Sequence, residues 1–155
     1  MDEKEAKIEE LCRRAVLAGL EGVEFLQGFD YAVLAREYNG IGPEWAGAGV
    51  RAWVTRHAGL FEPAALIHDM RNYESDGLRR AFNYANAEFL INCLRLANGK
   101  YPWYSWRRYR ARLAAHVFFD FVNGPGGWKA WRECYERNLS HETSDIGHQT
   151  SKSGV

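Results

Sequence analysis

His68 and Asp69 stand side by side in a stretch of helical periodicity, and they are the residues best equipped for chemistry. Adjacent helical side chains diverge by about 100°, so the two cannot address one atom. One can serve a reacting centre while the other holds a neighbouring group. An imidazole suits a general base or a metal ligand, because its proton leaves near neutral pH. Ala64 and Ala65 share the His68 face and would let a backbone or a substrate approach. Asn86 lies on the next helical segment, on one face with Phe82, Phe89 and Cys93. A buried amide must find a partner. Antiparallel packing of the two segments would set Asn86 against His68 and fix the ring's tautomer. The plain alternative is a histidine that only satisfies the core.

The loop Asn39-Gly40-Ile41-Gly42-Pro43-Glu44-Trp45 precedes this helix. Glycines there allow successive carbonyls to converge on one point. Hard cations such as Ca²⁺ take backbone carbonyls together with a carboxylate. Gly40, Gly42 and Asp69 are thus candidate metal ligands, and a mere connecting loop is the alternative.

The elements that must position these groups read as helices. Apolar residues at Ile8, Leu11, Cys12, Ala15, Val16 and Leu20 mark a helix over about 3–20. A second runs over about 22–37 with Gly28 as an interruption, and a short piece follows at about 50–57. The His-Asp segment spans about 61–74, with Pro63 suited to its first turn. A long helix covers about 78–97, with Asn98-Gly99 as its C-cap. Another reaches from Pro102 to about Val122. After the turn 123–127 a last one spans about 128–137. No alternating strand pattern occurs. The expectation is all-α: a small bundle of about five or six helices, forming a single domain over 1–137. The polar stretch 138–155 reads as a disordered tail.

Taken together, these motifs resemble the phospholipase A2-like superfamily over about residues 38–94. In that family a Gly-rich calcium loop precedes a His-Asp helix, and a later helix carries an Asp followed three residues on by Phe. Here the order is Asn39-Gly40-Ile41-Gly42-Pro43, then His68-Asp69, then Asn86-Ala87-Glu88-Phe89. The layout is also similar to that of small phage and bacterial proteins. The resemblance implies hydrolysis of a phospholipid acyl ester, with His68 as base and Ca²⁺ held by Asp69 and the carbonyls near Gly40 and Gly42. Three departures stand out. Asn86 replaces the family's second Asp, and so offers the imidazole no negative charge. Asn72 stands where the family has Tyr, with Tyr73 one position off. The family's disulfides are also missing: Cys12, Cys93 and Cys134 make no disulfide framework.

Residues 95–112 hold Arg95, Lys100, Arg107, Arg108, Arg110 and Arg112 without one acid, interleaved with Tyr101, Trp103, Tyr104, Trp106 and Tyr109. Cations among aromatics suit an anionic phospholipid or membrane surface. They also suit single-stranded nucleic acid, or simply rings turned inward beneath solvated arginines. Trp103, Trp106, Arg107, Arg108 and Arg110 are therefore candidate partner-binding residues, and the alternative function is a non-catalytic helical interaction protein. The 155 residues balance 20 Lys+Arg against 20 Asp+Glu. That zero net charge argues against a general nucleic-acid binder, and it makes a protein partner or self-association reasonable. His57, His68, Asp69, His116 and Asp120 could imitate the metal site of an HD phosphohydrolase. No basic, apolar leader and no membrane-length apolar run appears, so a cytoplasmic location is the expectation.

Overall fold

In the computed structural model, residues 3–39 and 48–150 are described, with side chains over 3–39 and 56–141. The fold is all-α, with seven helices among these residues and no strand. They are α1 (Glu3–Leu17), α2 (Val23–Leu26), α3 (Tyr31–Glu37), α4 (Ala48–Tyr73), α5 (Arg79–Lys100), α6 (Trp106–Asn123) and α7 (Pro125–Thr150). None of the described helices is long and apolar enough to cross a membrane. The loop residues 40–47, which include Gly40 and Gly42, lie outside the described set.

Several boundaries differ from the sequence expectation, and each difference has a physical reason. The segments expected at about 50–57 and 61–74 form one continuous α4, with Pro63 in its interior. Proline has no N–H for the carbonyl four residues back, here Gly59. The Arg14 guanidinium of α1 supplies that donor instead, at 2.7 Å from the Gly59 oxygen. The expected helix over 22–37 divides into α2 and α3, because Asp30 adopts an extended conformation ahead of Tyr31. At the end of α5, Asn98-Gly99 does not act as the cap. The helix runs to Lys100, and Tyr101 turns extended, as a residue before proline must. Finally, Pro125 opens α7 at its first position, where a missing N–H costs nothing. The helix then continues past Asn138, where the tail was expected to begin, to Thr150. Asn138 donates to the Tyr73 carbonyl at 2.6 Å and ties that turn of α7 to the end of α4.

The main core is built from Ile8, Leu11 and Ala15 of α1, Phe61, Leu66, Ile67 and Met70 of α4, and Phe89 and Cys93 of α5. Ala111, Ala114 and Ala115 of α6 are wholly buried. Small side chains at that spacing form one helix face and let α6 lie close to its neighbours. Phe61 and Phe118 meet edge to face at 5.7 Å, joining α4 to α6. A second, smaller cluster of Phe82, Ala85 and Trp131 joins α5 to α7.

Two polar contacts lock the turn before α2 to this frame. Asn92, fully buried on α5, accepts from the Glu21 N–H at 2.8 Å and donates to the Glu21 carbonyl at 2.9 Å. Gly22 follows with φ 82°, a left-handed conformation that favours glycine. A Cβ there would come within 2.6 Å of a Glu88 carboxylate oxygen. The turn therefore needs glycine for its backbone angle and for the space above Glu88.

Candidate active site

His68 and Asp69 sit five and four residues before the end of α4, and Asn86 sits in the first half of α5. The two helices are joined through residues 74–78, and their packing sets His68 against Asn86. The His68 Nε2 atom is 2.8 Å from Asn86 Oδ1. Asn86 is completely buried, and its Nδ2 donates to Asn123 Oδ1 at 3.1 Å.

The chain of bonds fixes the proton on the ring. Because Asn86 spends its N–H₂ on Asn123, its oxygen faces the imidazole and accepts from Nε2–H. The lone pair then belongs to Nδ1, which the Asn72 amide approaches at 3.4 Å. The Phe89 ring lies 5.0 Å from the imidazole, centre to centre. Burial lowers the His68 pKa, and the Asn86 bond opposes that shift only in part. The ring is therefore held neutral at pH 7, with its basic nitrogen defined.

Asp69 leaves α4 in another direction, as adjacent helical residues must. Its Oδ2 accepts the Asn39 backbone N–H at 3.0 Å. The carboxylate thus stands at the root of the loop that begins with Gly40. Tyr38, one residue earlier, has its phenol pushed far above the usual range. Burial is the larger cause, and the nearby Glu62 and Asp69 carboxylates add to it. Lys7 pairs with Glu62 at 2.6 Å and lies 5.5 Å over the Tyr38 ring. Among the described residues no group of three or more His, Cys, Asp or Glu side chains converges as a metal site.

The structure thus brings together His68, Asn86 and, through Asn39, Asp69 with the loop's start. It does not assemble the phosphohydrolase constellation. His116 and Asp120 are exposed on α6, whereas His57 and His68 are buried. Of the partner-binding candidates, Trp103, Trp106 and Arg107 are exposed. Arg108 is half-buried and donates to Asn98 Oδ1 at 2.9 Å, and Arg110 is also half-buried.

Sequence reasoning missed three participants. Asn123 reads as a turn residue before Gly124-Pro125, yet it ends α6 and orients Asn86. Arg71 and Glu88 form a two-pronged ion pair beside the site, with both bonds at 3.0 Å. Glu88 is almost fully buried, at 3% exposure, on a helix read for its apolar face and for Asn86. A charge two residues from Asn86 on a largely apolar helix was the available signal.

Asn123→Leu should blur the tautomer of His68. With its acceptor gone, the Asn86 amide is free to turn either end toward the ring. Nitrogen chemical shifts of the His68 ring are expected to change from one tautomer to a mixture. Asn123→Asp keeps an acceptor and should restore the single form. An unchanged spectrum in the leucine variant would show that Asn123 does not orient Asn86. The buried amide left unpaired should also cost about 1–3 kcal/mol of stability.

No protein-family profile, no curated protein and no solved structure matches this chain.

Proposed function

We propose that the chain is a phospholipase A2-like acyl-ester hydrolase with a weakened base. The supporting observation is the 2.8 Å bond between His68 Nε2 and Asn86 Oδ1. It leaves Nδ1 as the nitrogen able to take a proton. In this reading a water enters beside Nδ1, where the Asn72 amide now makes only a long contact. His68 accepts a proton from that water as its oxygen attacks the ester carbonyl. The acyl C–O bond breaks, and the proton passes to the departing alkoxide. Asn86 steadies the ring by a dipole alone, so the imidazolium formed on the way lacks a counter-charge.

Calcium fits this reading through Asp69, whose carboxylate is tied to the first residue of the glycine loop. Asp69 and the carbonyls of Gly40 and Gly42 would hold it. When bound, the ion would supply positive charge to the carbonyl oxygen under attack.

A second reading is a non-catalytic helical binding protein, and the neutral Asn86 favours it. Fatty-acid release from mixed phospholipid vesicles separates the two. Release that needs calcium and is lost in His68→Ala supports the hydrolase. No release, together with a melting temperature that calcium leaves unchanged, overturns it. The second reading instead predicts that charge reversal at Arg107 and Arg108 abolishes partner binding.

A further inference from the structure

The outer face of α6 carries apolar side chains where a solvated helix would carry charge. Ala111, Ala114, Ala115 and Phe118 point into the core. At about 100° per residue, Trp106, Tyr109 and Leu113 fall on the side directly opposite. They are 67%, 58% and 50% exposed, and Trp103 and Tyr104, just before the helix, reach 82% and 74%. Scattered surface hydrophobics are ordinary, but a contiguous apolar strip marks an interaction site. Arg110 and Arg112 flank the strip on its two sides, and Arg107 adds a third cation near its start. Among the described ion pairs none engages these three arginines, and residues 89–119 contain no Asp or Glu. Trp103, Tyr109, Arg112 and Leu113 also line an open groove of about 380 Å³ along this face.

We propose that this face docks on an anionic lipid surface. The strip would sit at the boundary between headgroups and acyl chains. Indole and phenol rings favour that depth, because one end of each is apolar and the other polar. The flanking arginines would reach out to the headgroup phosphates. Two observations favour lipid over single-stranded nucleic acid. Leu113 has no ring for a base to stack on. Trp106 and Tyr109 are already stacked on each other, with centroids 4.9 Å apart and planes 22° apart, so each has one ring face covered. The docking goes beyond hydrolysis at His68 and does not depend on it.

Vesicle sedimentation with a calcium chelator present tests the proposal. The full chain should sediment with phosphatidylcholine vesicles that contain phosphatidylglycerol, and not with phosphatidylcholine alone. Added salt should release it. Replacing both Arg107 and Arg110 by Gln should weaken partition about thirtyfold, the loss of two surface cations. Trp103→Ala with Trp106→Ala should weaken it at least as much, at an unchanged melting temperature. His68→Ala should bind as the natural chain does, so a missing esterase activity leaves this result intact. Three outcomes would each overturn the proposal: no sedimentation with anionic vesicles at low salt, binding indifferent to both double variants, or tighter binding to an oligothymidylate than to anionic vesicles.

Discussion

On the proposed hydrolase reading, Asn86→Asp is expected to raise phospholipid hydrolysis by on the order of 10²-fold, within the roughly 10²–10⁴-fold that a positioned general base contributes. The new carboxylate would stand 2.8 Å from Nε2, where the amide oxygen now accepts. It would hold the same tautomer and add the negative charge that the imidazolium lacks. Asn123 can follow by turning its N–H₂ toward the new acid. The readout is the rate of fatty-acid release from mixed vesicles. A rate unchanged by the substitution would mean that His68 is not the base.

The same substitution should reverse a pH dependence of stability. In the natural chain burial depresses the His68 pKa, below the ordinary value of about 6.5. The unfolded chain then binds the proton more readily than the folded one. Its contribution is present above about pH 6.5 and is lost as the pH falls toward the folded value. With Asp at position 86 the folded pKa of His68 rises instead. Its contribution is then full below about pH 6.5 and lost as the pH climbs through the raised value. Urea unfolding of both chains across this range gives the difference, in which the titrating groups common to both cancel and the coupled pair of His68 and the new carboxylate remains. Parallel curves would show that position 86 does not set the charge of His68.

Arg71→Ala is expected to cost about 3–5 kcal/mol, because it strands the Glu88 carboxylate without its partner. Glu88 keeps only 3% of its side-chain surface, while Arg71 keeps 25%. The arginine reaches out from beneath Phe25, its guanidinium 4.0 Å from that ring's centre. Removing it loses a two-pronged bond and a cation–ring contact together. A chain of this size should melt roughly 6–20 °C lower. Glu88→Gln in the same background removes the stranded charge and should recover part of the loss. If Arg71→Ala alone melts within a degree or two of the natural chain, water already reaches Glu88. The pair matters to the site because Arg71 lies three residues after His68 and Glu88 two after Asn86. Together they hold α4 and α5 in the register that the His68–Asn86 bond requires.

The all-α class follows from local rules. Apolar residues recur at helical spacing through Ile8, Leu11 and Ala15 and again through Phe82, Ala85, Phe89 and Cys93, and those residues are buried. The partnership of His68 with Asn86 was also legible. An amide on an apolar face must bond to something polar, and a histidine stood on the neighbouring helix. Helix ends were less so, since the outcome at Pro63 depends on an arginine 49 positions earlier in the chain. A proline ordinarily leaves the carbonyl behind it without a donor, and no local pattern reveals that Arg14 supplies one.

The sequence by itself determined the helical period, the His-Asp-Asn set and the concentration of cations and aromatics in 95–112. Each depends on residues near one another in the chain. Only the tertiary structure decided which nitrogen of His68 carries the proton, since that depends on Asn123 from a third helix. It also revealed the Arg71–Glu88 lock, whose cost and benefit depend on burial that no spacing encodes. And it decided which way the aromatic stretch faces. The alanines of α6 claim the core, so Trp106, Tyr109 and Leu113 must point away from it. A helix has two faces, and packing chose between them.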